Sequence, residues 1–419
     1  MIINSKALIK PKPYLIVLTQ THVQVGIVGK PNAGKSTFFA ASTLIDVKIA
    51  PYPFTTIEPN VGVGYVTIPC VCRDLGVKDN PRNSICMDGT RLIPVELIDV
   101  AGLVPGAWQG RGLGNQFLDH LRRAPVLIHV VDASGGTDEE GRIVKPGTHD
   151  PLLDVKFLEN EVDMWMLQIV KKEWDKVVRQ VEYSKQKIED VLYSMLSGLG
   201  ITRAIIEEAL TQLSLINKQP HLWGEEAIMG LVKYIRSIGK PMVIAANKAD
   251  IPEAEDNIKR MINELKGYRV IPTSADAELA LRRAANKGLI KYIPGDQDFT
   301  IVGNLMPEQV KALERIRSIM RKWGGTGVVK ALNTAVFDVL GMIAVYPVAD
   351  EKRLTDTEGR VLPDVYLLPR NATVLDLASA IHSDIAKRAM FAVDALSGRR
   401  IGLNERLQHR SIVRIVTTR

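Results

Sequence analysis

The sequence predicts an α/β fold. It is read as a doubly wound sheet, with a helical, coiled-coil-like domain inserted into it and a small β-grasp unit at the C-terminus. Three observations predict this. Apolar runs at Val23–Val28, Ile93–Ile98, Pro241–Ala246 and Tyr268–Pro272 each stop at a loop of polar, chemistry-bearing residues, as strands do at the ligand-binding edge of an open α/β sheet. Residues 152–238 change to a helical period, and residues 338–419 return to short strand-like runs separated by turns.

The first run leads into Gly29-Lys30-Pro31-Asn32-Ala33-Gly34-Lys35-Ser36, followed by Thr37. A strand, a glycine-rich loop and Gly-Lys-Ser opening a helix make a P-loop, whose backbone N–H groups wrap phosphates. Gly29 and Gly34 allow a tight turn and a close approach, Lys35 reaches the outer phosphates, and Ser36 holds Mg²⁺. The helix that follows aims its N-terminal dipole at the same anion. The later loops keep the order of a nucleotide site. Asp99-Val100-Ala101-Gly102 places a carboxylate to order a Mg²⁺-bound water and a glycine N–H for the γ-phosphate. Asn247-Lys248-Ala249-Asp250 and Thr273-Ser274-Ala275 end the next two strands.

These elements predict a P-loop GTPase. The Asp250 carboxylate can accept two hydrogen bonds from guanine N1–H and its 2-amino group, which adenine cannot offer; pairing with adenine would leave it desolvated and unpaired. Asn247 braces the loop and faces the base, the Lys248 stem lies over its plane, and the N–H of Ala275, beside Ser274, serves O6. GTP is preferred on this chemistry, with ATP as the alternative.

Between P-loop and Asp99 lies Tyr52-Pro53-Phe54-Thr55-Thr56-Ile57-Glu58-Pro59-Asn60, and after Asp99 the glycine-rich run Gly106 to Phe117. With the P-loop and Asp-Val-Ala-Gly-Leu, this set resembles the Obg family of GTPases, and the Ile57-Glu58-Pro59-Asn60 continuation is closest to its YchF-like branch. The resemblance implies that Thr56 completes the Mg²⁺ shell, with Thr55 as the other candidate. It also implies a helical insertion, a C-terminal TGS domain, and work near the ribosome. One departure is that the YchF-like branch usually lacks Asn-Lys-X-Asp and is associated with ATP, whereas this chain keeps the motif. A second concerns Leu103, which stands where many GTPases place a water-orienting glutamine. Slow intrinsic hydrolysis follows, with the water positioned by backbone, a partner or a cation. Asn32 is a candidate ligand for K⁺, or else a cap on its loop. Gln109 and His120 are weaker catalytic candidates, read as loop and packing residues.

Composition fits an ordinary soluble protein: 419 residues, 46% hydrophobic, 24% charged, net charge +7. No apolar stretch reaches the ~18 residues of a membrane span, and residues 1–21 read as an extension without a signal peptide. Three cysteines argue for a reducing cytoplasm rather than a disulfide framework. Cys70, Cys72 and Cys86 could hold Zn²⁺ with Asp74 or Asp79, but three thiols without a clear fourth ligand favour plain reduced thiols.

The expected domains are residues 22–151 with 239–337 for the GTPase domain, 152–238 for the helical insertion and 338–419 for the β-grasp module. In the insertion, Val162, Trp165, Met166, Ile169 and Val170 line one helix face. The connection after Cys70 reads as a β excursion, residues 328–340 as one helix, Leu354–Leu368 as a hairpin, and Thr373-Val374-Leu375-Asp376 as a helix cap. From Ser397 onward six arginines face one acid, Glu405. A basic edge for RNA or ribosome contact follows, against the alternative of a solvated face.

Overall fold

The computed structural model describes residues 23–43, 60–100, 106, 108 and 120–418. Strands β1 (Gln24–Val28), β2 (Val61–Pro69), β3 (Ile85–Met87), β4 (Thr90–Asp99), β5 (Val126–Asp132), β6 (Met242–Asn247) and β7 (Arg269–Pro272) form one sheet in the order β2-β4-β1-β5-β6-β7, with β3 on β4. β1 pairs in parallel with both β4 and β5, and β5-β6-β7 continue in parallel. β2 and β3 run antiparallel to β4. The central strands are buried along their whole length, which is why they read as unbroken apolar runs. Their carboxyl ends share one edge, so loops far apart in sequence meet there.

Helix α1 (Lys35–Thr43) follows the P-loop, and α2 (Val71–Asp74) is a single turn in the expected β excursion. The insertion is built from α3 (Pro151–Lys172), α4 (Trp174–Glu182), α5 (Ile188–Leu196), α6 (Arg203–Gln212) and α7 (Glu225–Gly239). Asp150 caps α3, accepting a hydrogen bond from Leu152 N at 3.0 Å. The predicted stripe Val162, Trp165, Met166 and Val170 is buried against Leu192, Ile206 and Leu231, so it is the core of the bundle itself. Gly200, at φ 76°, ends the segment after α5.

Beyond α8 (Ala254–Glu264), α9 (Ala275–Asn286), the β8–β9 ribbon (Ile290–Lys291 with Thr300–Ile301) and α10 (Pro307–Trp323), the helix predicted over 328–340 divides. It is α11 (Val328–Asn333) followed by a π-helical turn, Thr334–Val339. The C-terminal sheet has the order β11-β10-β14-β12-β13, from β10 (Met342–Val348), β11 (Tyr366–Pro369), β12 (Ala389–Asp394), β13 (Arg400–Ile401) and β14 (Ile412–Thr417). Helices α12 (Val374–Ile381) and α13 (Ser383–Arg388) lie between β11 and β12. Thr373 and Asp376 form the expected reciprocal cap.

The hairpin predicted over 354–368 closes only around Thr357–Gly359, where Thr355 bridges Val361 antiparallel and Leu362 N donates to Leu354 O at 2.8 Å. β11 pairs antiparallel with β10, and the segment before it is held by the other domain. Asn80 N donates to Val361 O at 2.8 Å and Arg82 N to Pro363 O at 2.7 Å. The C-terminal module also shares a core with the main sheet: Tyr346, Leu362 and Ile412 pack with Ile68, Cys70 and Ile93.

Strand β5 carries a titratable group in its interior. His129 is 3% exposed, and burial, aided by the nearby Lys30 charge, pulls its pKa down to about 3. The folded chain therefore keeps His129 neutral where the unfolded chain protonates it, below about 6.5. Stability from this residue is complete above that pH and is lost as pH falls from about 6.5 towards 3. His129→Leu is expected to flatten this limb of a urea-denaturation pH profile; an unchanged slope would show that His129 does not set it.

Candidate functional site

The P-loop conformation follows from its glycines. Gly34 has φ +94°, and a Cβ there would stand 2.2 Å from Asn247 Nδ2; one at Gly29 would stand 2.5 Å from Val130 O. The loop is thus pinned by a neighbour from β6 in a form open to glycine. Ala33 is buried and Pro31 partly so, Ser36 lies exposed in the first turn of α1, and Thr37 follows it. This backbone cradle at a helix N-terminus fits a polyphosphate.

Lys35 Nζ forms an ion pair with Asp99 Oδ1, both side chains being largely buried. The Asp99 carboxylate sits at the end of β4, one strand from the P-loop, as the sequence order requires. Lys30 behaves differently from a phosphate ligand. Its side chain is 4% exposed and its ammonium binds Thr137 O at 2.9 Å and Asp154 at 2.7 Å. Only its backbone remains for a nucleotide. Burial pushes the Asp154 carboxyl above its usual range, opposed by Lys30 and His149. Asn32, at φ 59°, donates from Nδ2 to Gly141 O at 2.9 Å. That is the loop-tying alternative, and Oδ1 is its one atom left for a cation.

The base-recognition loops are joined by Asn247. Its Nδ2 donates to Ala33 O at 3.0 Å and its Oδ1 accepts from Ala275 N at 3.1 Å. The Ala275 N–H expected to serve guanine O6 is therefore taken by Asn247, because Ala275 is the first residue of α9 and turns inward. Asp250 is exposed, and Ser274 Oγ donates to its Oδ1 at 2.7 Å. That bond fixes the carboxylate plane, and Trp323 Nε1 holds the loop from behind through Ala249 O at 3.2 Å.

Sequence reasoning missed Asp132. It is fully buried at the end of β5, opposite Asn247 in register. It accepts from Ser134 Oγ at 2.5 Å and from Lys248 Nζ at 2.8 Å, which lays the Lys248 stem along the cleft. Its place as the last residue of a buried strand was the available signal. Asp132→Asn is expected to weaken GDP binding about tenfold and to lower stability by about 2 kcal/mol, by loosening Lys248. Fluorescent-GDP titration and urea melts measure both; unchanged GDP affinity would separate Lys248 placement from binding.

Thr55, Thr56, Gly102, Leu103 and Gln109 lie outside the described residues. His120 is described, in the short helical stretch before β5. Downstream of Gly102, Glu161 of α3 accepts from Gly106 N at 3.0 Å and Trp108 N at 3.1 Å. The inserted helices are thus tied to the segment that follows Asp99.

Three of the six arginines of the predicted basic edge are ion-paired. Arg399 pairs with Glu405, Arg410 with Asp74 and Arg414 with Glu351, while Arg400 stacks 3.8 Å from the Phe391 ring centroid. Two of these acids lie far outside the window in which the arginines cluster.

Comparison with known proteins agrees with the geometry. A GTP-binding protein of Methanocaldococcus jannaschii, described as uncharacterized, is 48% identical over 94% of this chain and 98% of its own length. The chain belongs to the Obg-like GTP-binding proteins. Three family descriptions match this Obg-like protein in chain order. They are a 50S ribosome-binding GTPase domain over residues 24–196, the G4 motif-containing domain of YGR210-like Obg-like GTPases over 245–350, and a TGS domain over 356–417. The crystal structure of a GTP-binding protein from Pyrococcus horikoshii is 40% identical and covers 94% of this chain and 100% of that one, at a TM-score of 0.76. A ribosome-binding ATPase of Mycoplasma pneumoniae is 32% identical, over 56% of this chain and 60% of its own length. The second description takes in the Asn247–Asp250 loop, so the Obg-like protein keeps the motif that marks its own branch. Among the described residues no helix is long and apolar enough to cross a membrane.

Proposed function

We propose that this GTP-binding protein hydrolyses GTP to GDP and phosphate with Mg²⁺ and works as a molecular switch at the ribosome, in the cytoplasm. One observation carries the guanine reading: Asn247 locks the base loop to the P-loop while Ser274 presents the Asp250 carboxylate at the cleft. When bound, Mg²⁺ would supply positive charge against the charge developing on the phosphates. Ser36 and Thr56 would hold it directly and Asp99 through water. The Lys35–Asp99 pair has to open for this, which frees Lys35 to meet the phosphates and stabilise the transferred charge. The N–H groups of Gly29 to Thr37 line the phosphates, Gly102 serves the γ-phosphate, and K⁺ at Asn32 Oδ1 would take the part of an arginine finger.

The Glu161 bonds to Gly106 and Trp108 support a switch, because reordering around Thr56 and Gly102 on hydrolysis would pull on the inserted helices. We assign residues 22–151 and 239–337 to the GTPase domain, 152–238 to the insertion and 338–419 to the TGS module, with RNA or ribosome contact through that module. A second reading, an ATPase, rests on the relative named a ribosome-binding ATPase.

Side-by-side titration of fluorescent GDP, GTP and ATP, with phosphate release in K⁺ or Na⁺ and with or without ribosomes, tests the proposal. Guanine preference with turnover raised by K⁺ or ribosomes supports it. Equal or tighter ATP binding would replace it by the ATPase reading. Negligible turnover with nucleotide-dependent ribosome binding would make the chain a binding factor.

A further inference from the structure

We propose that Cys70, Cys72, Cys86 and Asp79 form a structural Zn²⁺ site that clamps the 70–91 excursion beneath the C-terminal module. The sequence offered three thiols and no clear fourth ligand. The fold supplies one: a sulfur from each cysteine and a carboxylate oxygen of Asp79 all lie within 4.8 Å of one another. Asp74, the other candidate, is turned away to Arg410.

The arrangement comes from four short pieces of backbone. Cys70 precedes α2 and Cys72 lies within it, Asp79 follows in the loop, and Cys86 stands on β3 opposite Arg91 of β4. Cys72 Sγ and Cys86 Sγ are 3.7 Å apart, and Cys70 Sγ lies 3.2 Å from Asp79 Oδ2. A tetrahedral Zn²⁺ with Zn–S near 2.3 Å requires S···S edges of about 3.8 Å, so little movement is needed. Cys70 is fully buried and Cys72 nearly so.

Charge and ligand type select the ion. Three thiolates and one carboxylate carry four negative charges, two of which a divalent ion cancels. The fully buried Arg91, with Nη1 3.4 Å from Asp79 Oδ2, offsets another and stands as the outer partner of the carboxylate. Mg²⁺ and Ca²⁺ demand oxygen ligands, whereas this set suits a borderline-soft tetrahedral ion.

Location gives the site its role. Arg91 also donates to Leu362 O and lies 5.3 Å from the Tyr346 ring centroid, while Asn83 Nδ2 donates to Val365 O at 2.9 Å. The excursion is the platform on which the C-terminal sheet rests, and a metal would fix its four pieces at once.

The test uses the full chain without a metal-binding tag, saturated with Mg²⁺ and GDP and passed over a chelating resin. Elemental analysis is expected to find one zinc per chain. Replacement by Co²⁺ should give thiolate-to-metal charge-transfer absorption, which only these residues can supply because the chain has three cysteines. Cys72→Ser and Cys86→Ser should abolish binding, and Asp79→Asn should weaken it at least tenfold. All three thiols should react with a disulfide reagent only after a strong chelator is added, a readout in the wild-type chain that stands if a variant fails to fold. Zinc below a tenth of an equivalent with freely reactive thiols, a Cys72–Cys86 disulfide, or zinc retained in Cys72→Ser would each overturn the proposal.

Discussion

Replacing Asp250 by alanine is expected to lower the affinity for GDP and GTP by about 10²–10³-fold and to leave the affinity for ATP unchanged. On the proposed reading the carboxylate would accept two hydrogen bonds from guanine, each charge-assisted and together worth about 3–4 kcal/mol. In the structure its orientation is set before any base arrives, because Ser274 Oγ holds one oxygen and Trp323 holds the loop. Little ordering cost is left for binding, so removal of the side chain loses nearly the whole interaction. Ser274→Ala, which frees the carboxylate without deleting it, is expected to cost about tenfold. Fluorescence titration with both nucleotides reads the two variants. A guanine affinity that survives Asp250→Ala would mean that the loop does not meet the base.

Lys35→Ala is expected to reduce single-turnover phosphate release by at least about 10³-fold, since in the proposed mechanism the ammonium would follow charge onto the transferred phosphoryl group. GTP binding should weaken as well, but less, because the backbone cradle around Gly34 is retained. The structure adds a second consequence. Lys35 is the ion-pair partner of Asp99, and both are largely buried, so the variant leaves a buried carboxylate without its cation. Its nucleotide-free form is therefore expected to melt earlier than wild type, and Mg²⁺ should recover part of the difference. Release within tenfold of wild type would remove Lys35 from the chemistry.

The candidate site was legible where one local segment carries the whole signal. The P-loop announces itself because the glycines, lysine and serine must be contiguous to turn a strand into a helix around an anion. Asp99 and Asn247–Asp250 were legible because each ends a fully buried strand, whose apolar run shows in the sequence. Pro307 and the Thr373–Asp376 cap marked their helix starts for the same local reason. The division of the 328–340 helix was not legible, since a π-turn leaves the apolar spacing almost unchanged.

By itself, then, the sequence determined the order of strands and loops, the phosphate and base motifs, the helical character of the insertion and the small C-terminal sheet. These depend on periodicity and on residues within a few positions of each other. Tertiary structure alone decided which charges meet. It turned Lys30 away from the phosphates to Asp154, 124 positions on, and placed Lys248 on Asp132, 116 positions before it. It also covered Arg410 with Asp74 from 336 positions away, and closed three cysteines into a cluster with Asp79. A buried charge must find a partner of opposite sign in space, and no sequence spacing records which one the folded chain brings within reach.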